Sequence, residues 1–146
     1  MSSDNQQLIK ELAQAMEDTT FETFIHQSTL KLIKIPTDEL RDSLDPEEFN
    51  STYGPVVDEY EKNELDYIDV PFPDSAENYK LMKSFVNTIT DTSIKSRLAI
   101  ILGEAKPFKN FKHAIESKND LNDNWISFKS SYYIQKAERF LNDEIG

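Results

Sequence analysis

Phe21-Glu22-Thr23-Phe24-Ile25-His26-Gln27-Ser28-Thr29-Leu30-Lys31-Leu32-Ile33-Lys34-Ile35-Pro36 is the stretch that decides the fold class. Phe21, Thr23 and Ile25 alternate against Glu22 and His26, and Leu30-Leu32 and Ile33-Ile35 stand around Lys31 and Lys34. β-Branched and aromatic residues with this period fit a pleated, half-buried surface better than a helix. Two short strands joined near Gln27-Ser28-Thr29 follow, and Pro36, with no amide hydrogen to give a ladder, ends the second.

On the N-terminal side, Leu8, Ile9, Leu12, Ala13 and Met16 recur at three- and four-residue intervals, which predicts a helix from about Asp4 to Asp18. Beyond the strands, Asp45-Pro46-Glu47-Glu48 is a helix start: an N-cap acid, proline at the first position and a capping-box glutamate. Gly54-Pro55 is expected to interrupt that helix, leaving two short helices or partly loop. Leu65 to Val70 reads as a third strand, closed by Pro71-Phe72-Pro73.

The remainder is helical in pattern. Asp74-Ser75-Ala76-Glu77 offers a second capping box before Leu81, Met82, Phe85, Val86 and Ile89. A helix from about Thr92 should bury Ile94, Leu98, Ile101 and Leu102 and stop at Gly103. Lys106-Pro107 opens a short helix with Phe108, Phe111, Ala114 and Ile115. The last helix should run from about Asn122 to Asp143, with Gly146 past its end. Trp125, Phe128 and Tyr132 form one stripe on it, and Ile126, Tyr133, Ala137, Phe140 and Leu141 an adjacent one. The expected architecture is α+β: a small antiparallel sheet of two or three strands in the N-terminal half, packed by four or five mostly C-terminal helices.

The 146 residues suffice for a single domain over 1–146, with an acidic helix and hairpin half at 1–73 and a helical half at 74–146. Sixteen aromatics spread along the chain argue for a packed core rather than a disordered chain. Cysteine is absent, which excludes disulfides, thiolate nucleophiles and cysteine-bound zinc. No signal-peptide pattern opens the sequence and no apolar run is long enough for a membrane span, so the cytoplasm is the expected location and no membrane partner is expected.

Charge separates the halves. Residues 1–73 hold 17 acids against 5 Lys or Arg, a balance of -12, and residues 74–146 hold 10 against 11, a balance of +1. The densest block, 38–69, has 12 acids against 2 bases. It suits a basic protein partner, or else serves as a solvated face that keeps the chain soluble.

Gly103-Glu104-Ala105-Lys106-Pro107-Phe108-Lys109-Asn110-Phe111-Lys112, then Trp125-Ile126-Ser127-Phe128-Lys129, then Phe140-Leu141 form an aromatic and basic signature. It resembles the closing segment of uncharacterised protein family 0158, small bacterial proteins of unassigned role. The resemblance covers residues 65–146 in motif, and the first 64 only in general shape. It also implies an isoleucine- or valine-proline strand end ahead of a long helical stretch, as at Val70-Pro71, and arginine where this chain has Lys109 and Asn110.

No Gly-rich phosphate loop, Gly-x-Ser-x-Gly elbow or His-Glu-x-x-His occurs, and the two histidines, His26 and His113, come with no partner at a diagnostic spacing. The chain therefore leans away from an enzyme, with no catalytic residue, metal or cofactor assigned. Asp58-Glu59-Tyr60-Glu61 lacks the alternating oxygen ligands of a calcium loop.

The candidate ligand-binding residues are Lys106, Lys109, Lys112, Trp125, Phe128 and Lys129. The first three occupy the opening turns of a helix, where free N–H groups favour an anion, and the aromatics could stack a base. The same aromatics at helical spacing also serve two helices that merely pack together. The expected function is a non-catalytic interaction or regulatory module with a basic protein partner. Nucleic-acid or phosphate-ligand binding through the lysine and aromatic set is the alternative, and the sequence leaves the oligomeric state open.

Overall fold

The computed structural model describes residues 3–145, with side chains from residue 5. Its contacts divide the chain into two compact units, Met1–Pro73 with Tyr133–Gly146, and Asp74–Tyr132. The fold is α+β. The unit boundary after Pro73 coincides with the change in charge balance, and the residues from Tyr133 onward group with the first unit.

In the first unit, α1 (Ser3–Ala15) is followed by β1 (Phe21–His26), β2 (Leu32–Pro36), α2 (Asp38–Asp42), α3 (Pro46–Lys62) and β3 (Tyr67–Asp69). The strands form an antiparallel sheet in the order β2-β1-β3. Phe24 pairs with Ile33 on one side and Asp69 on the other. The hairpin turns where expected. Leu30 adopts the left-handed conformation at φ 60°, and His26 Nδ1 accepts hydrogen bonds from the Ser28 and Thr29 N–H groups at 3.1 and 3.2 Å. His26 thus satisfies the turn's backbone donors, which is a structural use of the ring.

The predicted stripe is buried, although α1 ends at Ala15 rather than at Asp18: Leu8, Ile9, Leu12 and Ala13 lie on the helix and Met16 just past it, with Leu12, Met16 and Ile25 fully enclosed. Asp45 caps α3, its carboxylate accepting from the Glu48 N–H at 3.3 Å. The expectation that Gly54-Pro55 interrupts this helix is wrong, because α3 continues through both residues to Lys62. A residue before proline avoids the helical region largely because its Cβ meets the proline ring, and Gly54 has no Cβ. The helix is also held on both sides of Gly54-Pro55. Tyr53 packs on Phe21 with ring centroids 5.9 Å apart, and Tyr60 stacks on Phe24 at 4.2 Å. Such aromatic burial contributes about 1 kcal/mol per pair beyond its area, enough to offset much of proline's helix penalty.

The third strand is shorter than Leu65 to Val70. Glu64–Asp66 form a 3-10 turn that takes Leu65 out of the sheet, although the Val70 N–H still reaches Thr23 O at 2.9 Å.

The second unit contains α4 (Ser75–Thr88), α5 (Thr92–Leu102), α6 (Pro107–Glu116) and the part of α7 (Asn119–Phe140) up to Tyr132. Its core is Met82, Phe85, Val86, Leu98, Leu102, Phe111 and Ile115, with Trp125 and Phe128 packed against it. Asp74 caps α4 and Asp91 caps α5. Gly103 ends α5 as predicted, in a right-handed conformation at φ -88°. Two half-buried polar contacts tie the helices together: Tyr79 Oη donates to Leu102 O at 2.7 Å, and Tyr132 Oη donates to the Glu77 carboxylate at 2.8 Å. The last helix starts at Asn119 rather than Asn122 and ends in a π turn over Leu141–Ile145. The predicted cap at Gly146 lies outside the described residues.

Candidate interaction surfaces

Lys106 stands immediately before α6 in the left-handed conformation, φ 53° and ψ 52°. Asn110 Nδ2 holds this corner by donating to Ala105 O at 3.1 Å. Lys106 and Lys109 are both exposed. One helical step further, Lys112 lies 4.0 Å from the Glu116 carboxylate, with three quarters of its side chain in water, so solvent screens that pair.

Trp125 is half-buried on α7. It meets Phe111 edge-on at 5.4 Å and Phe85 at 5.2 Å, and Lys129 Nζ stands over its ring at 5.4 Å from the centroid. A groove of about 480 Å³ runs along this region, with Met82, Phe111 and Trp125 among its lining, Phe108 and Ile126 at its exposed margin, and Lys112, Glu116 and Lys129 beside them.

The six candidate residues are therefore divided. Lys112, Trp125 and Lys129 share the groove; Lys106 and Lys109 do not line it, and Phe128 packs on Phe85 and lines different depressions. Two sequence expectations need correcting here. Phe108 and Ile126, which their spacing puts on the apolar stripes of their helices, are 40 and 51% exposed. Helical spacing places an apolar residue on a face, and only the neighbouring helix decides whether that face is covered.

A second surface lies in the first unit. Around α3, Phe49, Tyr53, Val56 and Tyr60 share the face turned to the sheet, and at 100° per residue Glu47, Asp58 and Glu61 fall on the opposite one. All three acids are exposed. Among the described residues, no ion pair within 4.0 Å is found for a carboxylate of the 38–69 block. Arg41, one of the block's two bases, instead lies over the Phe49 ring at 4.5 Å.

The acidic surroundings register on the tyrosines. Burial raises the Tyr60 phenol above its usual range, and the charges of Asp69, Glu64 and Glu22 push it further. Burial likewise raises Tyr67, together with its hydrogen bond to the Glu59 carboxylate at 3.2 Å. No group of three or more His, Asp or Glu side chains is arranged to hold a metal ion among the described residues. No helix among them is long and apolar enough to cross a membrane.

An antiparallel sheet beneath an acidic helix, with a separate unit of packed helices, defines a small α+β protein carrying two differently charged surfaces. The chain belongs to the uncharacterised protein family UPF0158, whose model matches residues 1–144. The relationship thus extends over the N-terminal half, where the motif resemblance had been confined to residues 65–146. Neither a curated protein nor a solved structure gave a match.

Proposed function

We propose that this protein is a non-catalytic interaction or regulatory module of the cytoplasm, and that the acidic face of α3 docks a basic protein surface. One observation carries the reading: Glu47, Asp58 and Glu61 project from a helix whose opposite face is fixed on the sheet, and none has a basic partner within 4.0 Å among the described residues. Charges held on a rigid element without internal partners make a directional field, which speeds and orients encounter with an opposite patch.

Phosphate or nucleic-acid binding at Lys106, Lys109, Lys112, Trp125, Phe128 and Lys129 stands second. Lys129 already covers a Trp125 face on which a base would stack, and the Glu116 carboxylate beside Lys112 opposes a phosphate.

The test is capture of partners by the tagged protein from its native cells, with and without nuclease, in wild type and in a Glu47→Lys, Asp58→Lys, Glu61→Lys variant shown by circular dichroism to be folded. The reading requires a partner that survives nuclease and is lost from the variant. A partner retained by the variant contradicts it, and one lost on nuclease treatment favours the second reading.

A further inference from the structure

Three consecutive backbone donors of the hairpin turn end on a single residue. The Ser28 and Thr29 N–H groups are accepted by His26 Nδ1 at 3.1 and 3.2 Å, and the Leu30 N–H by His26 O at 2.9 Å. An imidazole nitrogen accepts only while it carries no proton, so this arrangement places the neutral ring's hydrogen on Nε2. The charged ring has N–H on both nitrogens and no acceptor left. Protonation at Nδ1 sets a donor against two donors, so the closed turn and the charged ring exclude each other. What the ring holds is a constrained loop: Leu30 stands in the left-handed conformation at φ 60°, which a side chain disfavours.

We infer that His26 is a pH-sensitive latch on this turn: the neutral ring closes it, and the protonated ring releases Ser28 and Thr29. The charges around the ring act against the turn's donors. Tyr67 of β3 meets the ring edge-on at 5.1 Å and holds the Glu59 carboxylate of α3 on its hydroxyl at 3.2 Å. Asp66 lies just before β3, where its carbonyl accepts the Gln27 N–H. Glu11 of α1 lines a depression with Thr29, Leu30 and Lys31. Those three carboxylates favour a positive ring, and Lys31 opposes it. Hydrogen bonds thus hold one state while the surrounding acids favour the other, which makes the turn a two-state element. Release reaches beyond the turn, because the same segment shares that depression with Leu8 of α1, and Gln27 Nε2 donates to Leu65 O at 3.0 Å. The latch does not depend on the docking role of α3.

NMR spectroscopy of the full chain tests the latch. Ring nitrogen shifts follow His26, and amide exchange with water, corrected for the intrinsic rate at each pH, follows Ser28 and Thr29. At about pH 8 the wild-type ring should carry its proton on Nε2, and on going to about pH 5 the protection of both amides should be lost in step with the ring's titration. His26→Asn keeps an acceptor in the place of Nδ1, because an asparagine Oδ1 accepts from following N–H groups in the same way, but it does not titrate. That variant should protect both amides at either pH. His26→Phe, which retains a ring against Tyr67 but has no acceptor, should leave them unprotected throughout. A wild-type ring protonated on Nδ1 at the higher pH, amides that stay protected once the ring is charged, protected amides in His26→Phe, or the same pH-dependent loss in His26→Asn would each overturn the assignment.

Discussion

Thr23 sits in the central strand with 4% of its surface exposed, and its hydroxyl has no hydrogen-bond partner among the described residues. A buried hydroxyl left unpaired costs about 1–3 kcal/mol, and valine fills the same volume without it. Thr23→Val should therefore stabilise the protein by about 1 kcal/mol in urea denaturation. The sequence placed Thr23 on the inward phase of the strand, but alternation carries no information about whether a hydroxyl finds an acceptor.

Asp18 is the complementary case. Burial pushes its carboxyl upward, but hydrogen bonds from Thr20 Oγ1 at 2.7 Å and Thr20 N–H at 2.8 Å, with help from Lys34, bring it below the ordinary value. A carboxyl depressed in the fold adds stability that is present above the unfolded-state pKa of 3.8 and is lost as pH falls through the folded one. The stability gap between wild type and Asp18→Asn should thus be open at pH 6 and close progressively below about pH 4, as read by denaturation at each pH.

At the scale of elements, strand alternation, helix stripes and caps were legible because each rests on local chemistry. Phe21 to Pro36 gave the hairpin, Asp45 and Asp74 cap the helices they precede, and Gly103 ends its own, while the Asp91 cap of α5 was not read from the sequence. What local chemistry could not supply was the long-range packing that carries α3 across Gly54-Pro55, or the openness of Phe108 and Ile126.

The α3 account makes a coupled prediction. A Cβ added at Gly54 meets nothing beyond its chain neighbours within 4 Å, so any penalty comes from the following proline ring. Gly54→Ala alone should be neutral or destabilising. In a Pro55→Ala background, the same change should stabilise by about 1 kcal/mol, the ordinary helix gain of alanine over glycine. A double-mutant cycle by thermal denaturation reads the difference. Additive effects would mean that the proline ring is not what glycine accommodates.

For the molecule as a whole, charge is the dominant feature, and it was legible in the sequence because it depends on composition alone. The lysine and aromatic signature was legible too, but not its division, since that depends on which helix faces each residue meets. The first unit carries 20 acids against 7 bases, and the acidic block makes no ion pair within 4.0 Å among the described residues. Self-repulsion of that kind is screened over about 8–10 Å at ordinary ionic strength. Raising sodium chloride from about 20 mM to about 0.5 M should accordingly raise the melting temperature, whereas a fold stabilised by surface ion pairs would melt lower.

The most direct test of the acidic docking face is zero-length carbodiimide crosslinking of the protein with its captured partner, followed by mass-spectrometric mapping of the joined residues. The account predicts crosslinks from Glu47, Asp58 and Glu61 to partner lysines, diminishing as salt is raised. Crosslinks confined to carboxylates of the Asp74–Tyr132 unit, with none from α3, would contradict it.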